Sequence, residues 1–115
     1  MKPKKSLQAF TQNNLFGGHG KVNIWNLMTT ATPPFSAVLW CELEAGGTVG
    51  KHRQQHDPEV VICLAGNGEA TVAGQRHDLV AGSMVYLPHG KALSLVNNDQ
   101  SEPLYYLIIK AHQAK

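Results

Sequence analysis

Short apolar runs alternate along the chain with clusters of turn-forming residues. Eleven glycines and six prolines interrupt the sequence, and the runs between them are four to eight residues long and rich in Val, Leu, Ile and Tyr. No window carries the 3.6-residue periodicity of an amphipathic helix. This rhythm predicts many short β-strands, near Val22–Thr29, Ala37–Glu44, Glu59–Ala65, Glu69–Ala73, Ser83–Leu87, Leu93–Asn97 and Leu104–Lys110.

The separators between these runs have the chemistry of turns, because Gly, Pro and Asn tolerate turn geometry. Residues 1–20 are polar and contain glycine. They are interpreted as an N-terminal arm, with a short helix or an edge strand around Leu7–Phe10. The chain is long enough for one domain only, which we place at residues 21–115. Closely spaced strands without intervening helices predict an all-β sandwich, jelly roll or barrel.

Alternation along the strand predicted at Glu59–Ala65 separates its two faces. Glu59, Val61 and Cys63 share one face, and the residues between them are apolar. The strand is therefore predicted to be buried on both sides. A carboxylate at its start needs a partner, since burying an unpaired charge is costly.

Composition indicates which class of protein this is and in which compartment it is expected. Apolar residues make up 43% of the chain, charged residues 16%, and the formal net charge is +2, as in ordinary globular domains. Basic residues form no stripe interleaved with aromatics, so no nucleic-acid partner is expected. The longest apolar run, Leu104–Ile109, is too short to span a membrane, and no apolar leader segment follows the basic N-terminus. Cys41 and Cys63 lie in apolar runs and are interpreted as buried free thiols of a cytoplasmic protein.

Candidate metal ligands cluster in one short segment. His52 and His56 are followed by Glu59, with Gln54 between the two histidines. Imidazole nitrogens and carboxylate oxygens are the usual ligands of transition metals. A glycine just upstream and Pro58 just downstream leave little room for a helix. An extended segment would instead place His52, Gln54 and His56 on one side of the chain.

Two stretches of the sequence resemble the motifs of the cupin family. From Gly46, the spacing Gly-x5-His-x-Gln-x4-Glu-x6-Gly fits the first cupin motif, with Gln54 in place of its second histidine. From Gly82, the spacing Gly-x5-Pro-x-Gly-x2-Leu-x3-Asn fits the second motif, with Leu93 in place of its histidine. The resemblance implies a double-stranded β-helix, the cupin jelly-roll barrel, and pairing of two copies into a homodimer. The motif glycines are interpreted as barrel corners that tolerate positive φ, at Gly46, Gly66, Gly82 and Gly90.

The resemblance also implies a metal site. In cupins the metal is held by two histidines and the glutamate of the first motif, together with the histidine of the second. Carried over to this chain, the metal ligands are His52, Gln54 and Glu59, with His56 as a substitute ligand. The expected cofactor is a divalent transition metal (Zn, Ni, Fe or Mn), held by an incomplete ligand set because Leu93 cannot bind a metal.

Three functions are compatible with these residues. The first is a metal-dependent enzyme that acts on a small organic molecule in the barrel. In that setting the one candidate catalytic residue is Glu59, which could act as a general base if no metal is bound, since burial raises the pKa of a carboxyl group. The second is a metal-free ligand-binding or sensor module, which Leu93 favours. The third is a structural dimer without a ligand.

Overall fold

Among the residues that the structure describes, the regular segments are short strands and one 3₁₀ turn, Leu15–Gly17. The computed structural model describes residues 1–54 and 56–113. Because almost all regular segments are strands, the all-β class predicted from the apolar rhythm is confirmed. The strands are β1 (Phe10–Asn13), β2 (Lys21–Asn26), β3 (Phe35–Leu43), β4 (Thr48–Arg53), β5 (Glu59–Ala65), β6 (Asn67–Val72), β7 (Gln75–Val80), β8 (Met84–Leu87), β9 (Ala92–Asn97) and β10 (Leu104–Ala111).

Two antiparallel sheets form the barrel. One has the strand order β1-β2-β3-β10-β5-β8, and the other has the order β4-β9-β6-β7. Side chains alternate between the two faces of each strand, and the inward-facing ones from both sheets make one core. Its largest fully buried members include Leu43, Leu79, Leu95, Leu104 and Tyr106. Within the described residues no helix is long and apolar enough to cross a membrane.

Two strands, β4 and β7, were not among those predicted from the sequence, and the short helix or edge strand expected around Leu7–Phe10 is a strand that begins only at Phe10. All four residues of β1 are exposed, and only one residue of β7, Leu79, is buried. Edge strands of this kind lack the apolar alternation that sequence patterns detect. In β4 the only buried residue is Val49, and a register shift between Val49 and His52 breaks the alternation.

The segment predicted as an arm contains β1 and the 3₁₀ turn. β1 pairs with β2 of the same chain, with Phe10 opposite Ile24. The 3₁₀ turn lies against β4 so closely that a Cβ added at Gly50 would stand 1.9 Å from the Phe16 carbonyl oxygen. Only glycine at position 50 permits this approach. The N-terminal residues are thereby fixed onto both sheets.

The asparagine of the second motif, Asn97, has a structural role. Its side chain is buried, and the two N–H groups of its amide Nδ2 are shared among the carbonyl oxygens of Leu43, Glu44 and Glu102 at 2.9–3.2 Å. Its Oδ1 accepts a hydrogen bond from the Asp99 backbone N–H at 3.0 Å. One side chain therefore holds the end of β3 and the turn before β10 together. The expected positive φ is confirmed for the motif glycines Gly46, Gly66, Gly82 and Gly90.

The outer face of β5 differs from expectation. Glu59, Val61 and Cys63 face the core and are buried, as predicted, but the residues between them are only partly buried. The prediction of burial on both sides is therefore wrong for the outer face. Apolar side chains of the neighbouring strands β3, β8 and β10 continue this partly exposed surface, where Met84 and Tyr86 are 61% and 55% exposed.

Candidate functional site

A cavity of about 750 Å³ lies between the two sheets. Pockets of this size are typical of sites for small organic ligands. Most of its wall is apolar, with contributions from Ile24, Leu39, Leu93, Leu95 and Ile108. The polar residues that line it are concentrated where β4 and β5 meet the end of β10. The cavity thus combines an apolar body with one polar region.

The centre of the polar region is a hydrogen-bonded pair, Gln54 and Glu59. Both side chains are buried, and the Gln54 amide Nε2 donates to Glu59 Oε1 at 2.7 Å. Burial raises the pKa of Glu59, while the nearby charge of Lys110 and the hydrogen bond from Gln54 act in the opposite direction. The partner that the buried carboxylate was expected to need is therefore Gln54, five residues earlier in the chain.

His52 lies beside this pair but has other contacts. Its ring stacks on the Phe16 ring with 3.9 Å between the ring centroids. Its Nδ1 is 3.1 Å from the Gly50 carbonyl oxygen, the geometry of a tautomer with Nδ1 protonated. The 3₁₀ turn carries Phe16 onto His52, so this contact depends on the tight packing of the turn against β4.

His56, the proposed substitute ligand, is exposed at the rim of the cavity. Its backbone N–H points toward the Gln54 Oε1 at 3.4 Å. The structure therefore brings His52, Gln54, Glu59 and His56 to the same cavity. Of these four side chains, Gln54 and Glu59 are the pair that is hydrogen-bonded to each other.

The arrangement does not fit the four-ligand metal site that the motif resemblance implies. In the described part of the chain, no three His, Cys, Asp or Glu side chains come close enough to hold a metal ion together. Gln54 turns its amide nitrogen, which cannot bind a metal, toward Glu59. Leu93, in the position of the second-motif histidine, is opposite His52 across β4 and β9 and adds an apolar side chain. A weakly held metal stays a prediction.

A second polar pair lies deeper in the cavity, on β3 and β10. Cys41 and Tyr106 stand directly opposite each other across these strands, and their side chains are hydrogen-bonded. Burial raises the pKa of the Cys41 thiol to about 12 and that of Tyr106 well above its usual value. Both groups are therefore neutral at physiological pH. Cys41 and Cys63 are free and buried, as predicted.

Lys110 and Tyr106 line the cavity but were not singled out in the sequence, and Cys41, which also lines it, was interpreted only as a buried free thiol. The signal for Lys110 was present: β10 alternates, so Leu104, Tyr106, Ile108 and Lys110 share one face. The first three are apolar or aromatic, which marks the face as inward. A lysine at the end of such a row is therefore placed at the mouth of the interior.

The cupin domain family model matches residues 39–110. This chain belongs to the cupin family, and the jelly-roll barrel inferred from the motif spacing is confirmed.

Solved structures show the same fold over almost the whole chain. A predicted oxalate decarboxylase from Thermotoga maritima has a TM-score of 0.87 at 22% identity, with 98% of this chain and 100% of that chain covered. A cupin 2 conserved barrel domain protein from Salinispora arenicola has a TM-score of 0.73 at 26% identity, covering 96% and 87%. A cupin-2 domain from Rhodospirillum rubrum has a TM-score of 0.81 at 16% identity, covering 100% and 76%. Among curated proteins, no sequence matches this chain significantly.

Proposed function

We propose that this cupin binds a small, partly apolar organic molecule in its barrel and does so without a tightly held metal. The observation that carries the proposal is the cavity of about 750 Å³, with apolar walls and one polar region. Ligand pockets combine a largely apolar lining with a few polar groups that fix the orientation of the ligand. Gln54, Glu59 and Lys110 are those polar groups here.

The hydrogen bond between Gln54 and Glu59 supports a metal-free site. It directs an N–H of Gln54 toward Glu59 Oε1, an oxygen that would otherwise be free to bind a metal. A neutral amide and one imidazole are also weaker ligands in sum than the three histidines of the full motif. Leu93, at the position of the second-motif histidine, adds apolar surface and favours contact with carbon atoms of a ligand.

Metal analysis and ligand screening test this proposal together. Protein purified without an affinity tag should contain far less than one metal ion per chain by elemental analysis. It should also gain thermal stability from apolar organic compounds, because a ligand that binds the folded state raises its stability. A full equivalent of metal that disappears in both His52→Ala and Glu59→Ala would contradict the metal-free proposal.

A second candidate function is proton transfer by Glu59. The carboxyl group is 3% exposed, lines the cavity and is held in position by Gln54. A positioned carboxyl group facing a ligand cavity can act as a general acid or base. If this function holds, Glu59→Gln abolishes turnover of a bound compound while its affinity is kept. Retained turnover in that variant would exclude Glu59 as the catalytic group.

We further propose that a second copy of the chain covers the outer face of the larger sheet. The strand registers align two apolar rows across four strands, a width of roughly 15–20 Å at the usual strand spacing. Contiguous apolar surfaces of this kind mark interaction sites. The rows are Tyr86, Val60, Ile109 and Val38, and Met84, Ile62, Leu107 and Trp40.

Light scattering during size-exclusion chromatography tests the dimer. The chain should elute at twice its mass of 12.5 kDa, and Met84→Glu should make it monomeric because the charge would be buried against the second copy. Val80→Glu is the matched control, since Val80 is also apolar and 46% exposed but lies on β7 of the other sheet. A monomeric wild-type protein, or equal effects of both substitutions, would refute this interface. The cytoplasmic location stays a prediction, to which the two free thiols lend support.

A further inference from the structure

Positive charge exceeds negative charge among the residues that line the cavity. Two cationic side chains, Arg53 and Lys110, face one carboxylate, Glu59, in the described part of the lining. With the imidazoles neutral, the formal charge is +1. The guanidinium of Arg53 donates to the backbone carbonyl of Gly90, which fixes it at the rim. Lys110 is the cation on the inner wall.

The position of Lys110 follows from strand register. It is directly opposite Glu59 across β10 and β5, so the two side chains share a face with Cβ atoms about 4.5–5.5 Å apart. Glu59 already accepts a hydrogen bond from Gln54. Within residues 1–54 and 56–113, Lys110 makes no ion pair shorter than 4.0 Å. Its ammonium group therefore keeps donors available to a ligand while its stem lies on the barrel wall.

The surface next to Lys110 is apolar. Ile108 is two residues earlier on the same face of β10, and Leu39 is opposite Ile108 on β3. Both line the cavity. A molecule with its head at Lys110 would therefore lay its body along Ile108 and Leu39, toward the Cys41–Tyr106 pair. Along β10, the cation of Lys110 is therefore followed by the apolar surface of Ile108 and Leu39.

We propose that the ligand of this cavity is a small organic anion, with its acidic group at Lys110 and an apolar body along Ile108 and Leu39. This inference rests on the proposed ligand-binding function and names the class of its ligand. Lys110 selects for negative charge because a partly desolvated ammonium attracts an anion more strongly than one in bulk water. A neutral molecule of the same shape would gain no such attraction, and the lining would keep its net formal charge of +1.

Two fluorescent probes with almost the same aromatic framework test the charge preference. One is 8-anilinonaphthalene-1-sulfonate, which is anionic, and the other is N-phenyl-1-naphthylamine, which is neutral. The anionic probe should bind the wild-type protein at least about tenfold more tightly, a difference of about 1.4 kcal/mol. Lys110→Met should remove this preference by weakening only the anionic probe. Lys110→Arg, which keeps the charge, should retain it.

Two further variants localise the effect. Lys51→Met removes an equal charge from an exposed lysine that does not line this cavity, and it should leave both probes unchanged. Leu39→Trp fills the cavity and should weaken both probes in a folded protein. If neither probe binds the wild-type protein, the ligand-binding function itself is wrong. If both bind equally, or if Lys110→Met weakens both alike, only the anion preference is overturned.

Discussion

Replacing Leu93 with histidine tests the registration of the two motifs in the folded chain. Leu93 is directly opposite His52 across β4 and β9, and side chains at such paired positions have Cβ atoms about 4.5–5.5 Å apart. Leu93→His would therefore place a second imidazole beside the first, near Glu59. The expected result is a protein that gains affinity for Ni²⁺ or Zn²⁺ and loses stability when the metal is removed.

The loss of stability can be worked out from burial. Leu93 is 1% exposed, and full burial of a leucine side chain contributes about 1.5–3 kcal/mol. An imidazole left without a hydrogen-bond partner at this position costs about 1–3 kcal/mol more. The free energy of unfolding without metal should fall by about 2.5–6 kcal/mol. Metal at 100 times its dissociation constant should restore about 2.7 kcal/mol.

Urea unfolding is followed by tryptophan fluorescence, with Ni²⁺ or with a chelator. It measures both the loss of stability without metal and its recovery when metal is bound. The matched control is Leu95→His, two residues further on the same inward face, where the partner is Val49 and not a metal ligand. It should lose similar stability and regain none with metal. Equal responses to Ni²⁺ in Leu93→His, Leu95→His and the wild type would refute the reasoning, because position 93 would then not face the other ligands.

Three further substitutions have defined outcomes. Burial raises the pKa of Glu59, so its contribution to stability is complete below the unfolded-state pKa of about 4.3 and is lost as the pH rises through the folded-state pKa. Urea unfolding should therefore show the wild type losing stability relative to Glu59→Gln over that interval, and parallel pH profiles would contradict the burial argument. Asn97→Ala leaves three carbonyl groups without their side-chain donor and should lower the free energy of unfolding by about 3 kcal/mol or more; a loss below about 1 kcal/mol would mean that water replaces the amide. Gly50→Ala puts a Cβ 1.9 Å from the Phe16 carbonyl oxygen and should raise amide hydrogen exchange in the 3₁₀ turn, whereas Gly74→Ala meets open space at φ +83° and should cost only about 1–2 kcal/mol. Unchanged exchange in Gly50→Ala would show that the turn does not depend on this contact.

The fold was predictable from the sequence because most of its strands have an apolar inward face, which appears in the sequence as alternation. In β5, β9 and β10 the buried residues fall at alternate positions and most of them are apolar, so the pattern reports the sheet directly. β1 and β7 bury almost nothing. Their positions follow from backbone pairing with β2 and β6, for which the side chains carry no signal.

The candidate site was predictable in part. Spacing placed Gln54 and Glu59 correctly near each other, since they are only five residues apart in the sequence. The stacking of Phe16 on His52 joins residues 36 positions apart and depends on backbone packing at Gly50. A sequence pattern cannot report a contact of that kind. Lys110 could have been predicted as a cavity residue, because the alternation of β10 places its side chain on the inward face of the strand.

The N-terminal pairing of β1 with β2 has a consequence for comparing this protein with its relatives. The family match begins at residue 39, yet Phe10, Phe16 and Ile24 all line the cavity. Part of the cavity wall is therefore encoded outside the region by which the family is recognised. Under the proposed ligand-binding function, a comparison restricted to residues 39–110 would leave out Phe10, Phe16 and Ile24, so it would not compare the whole binding surface.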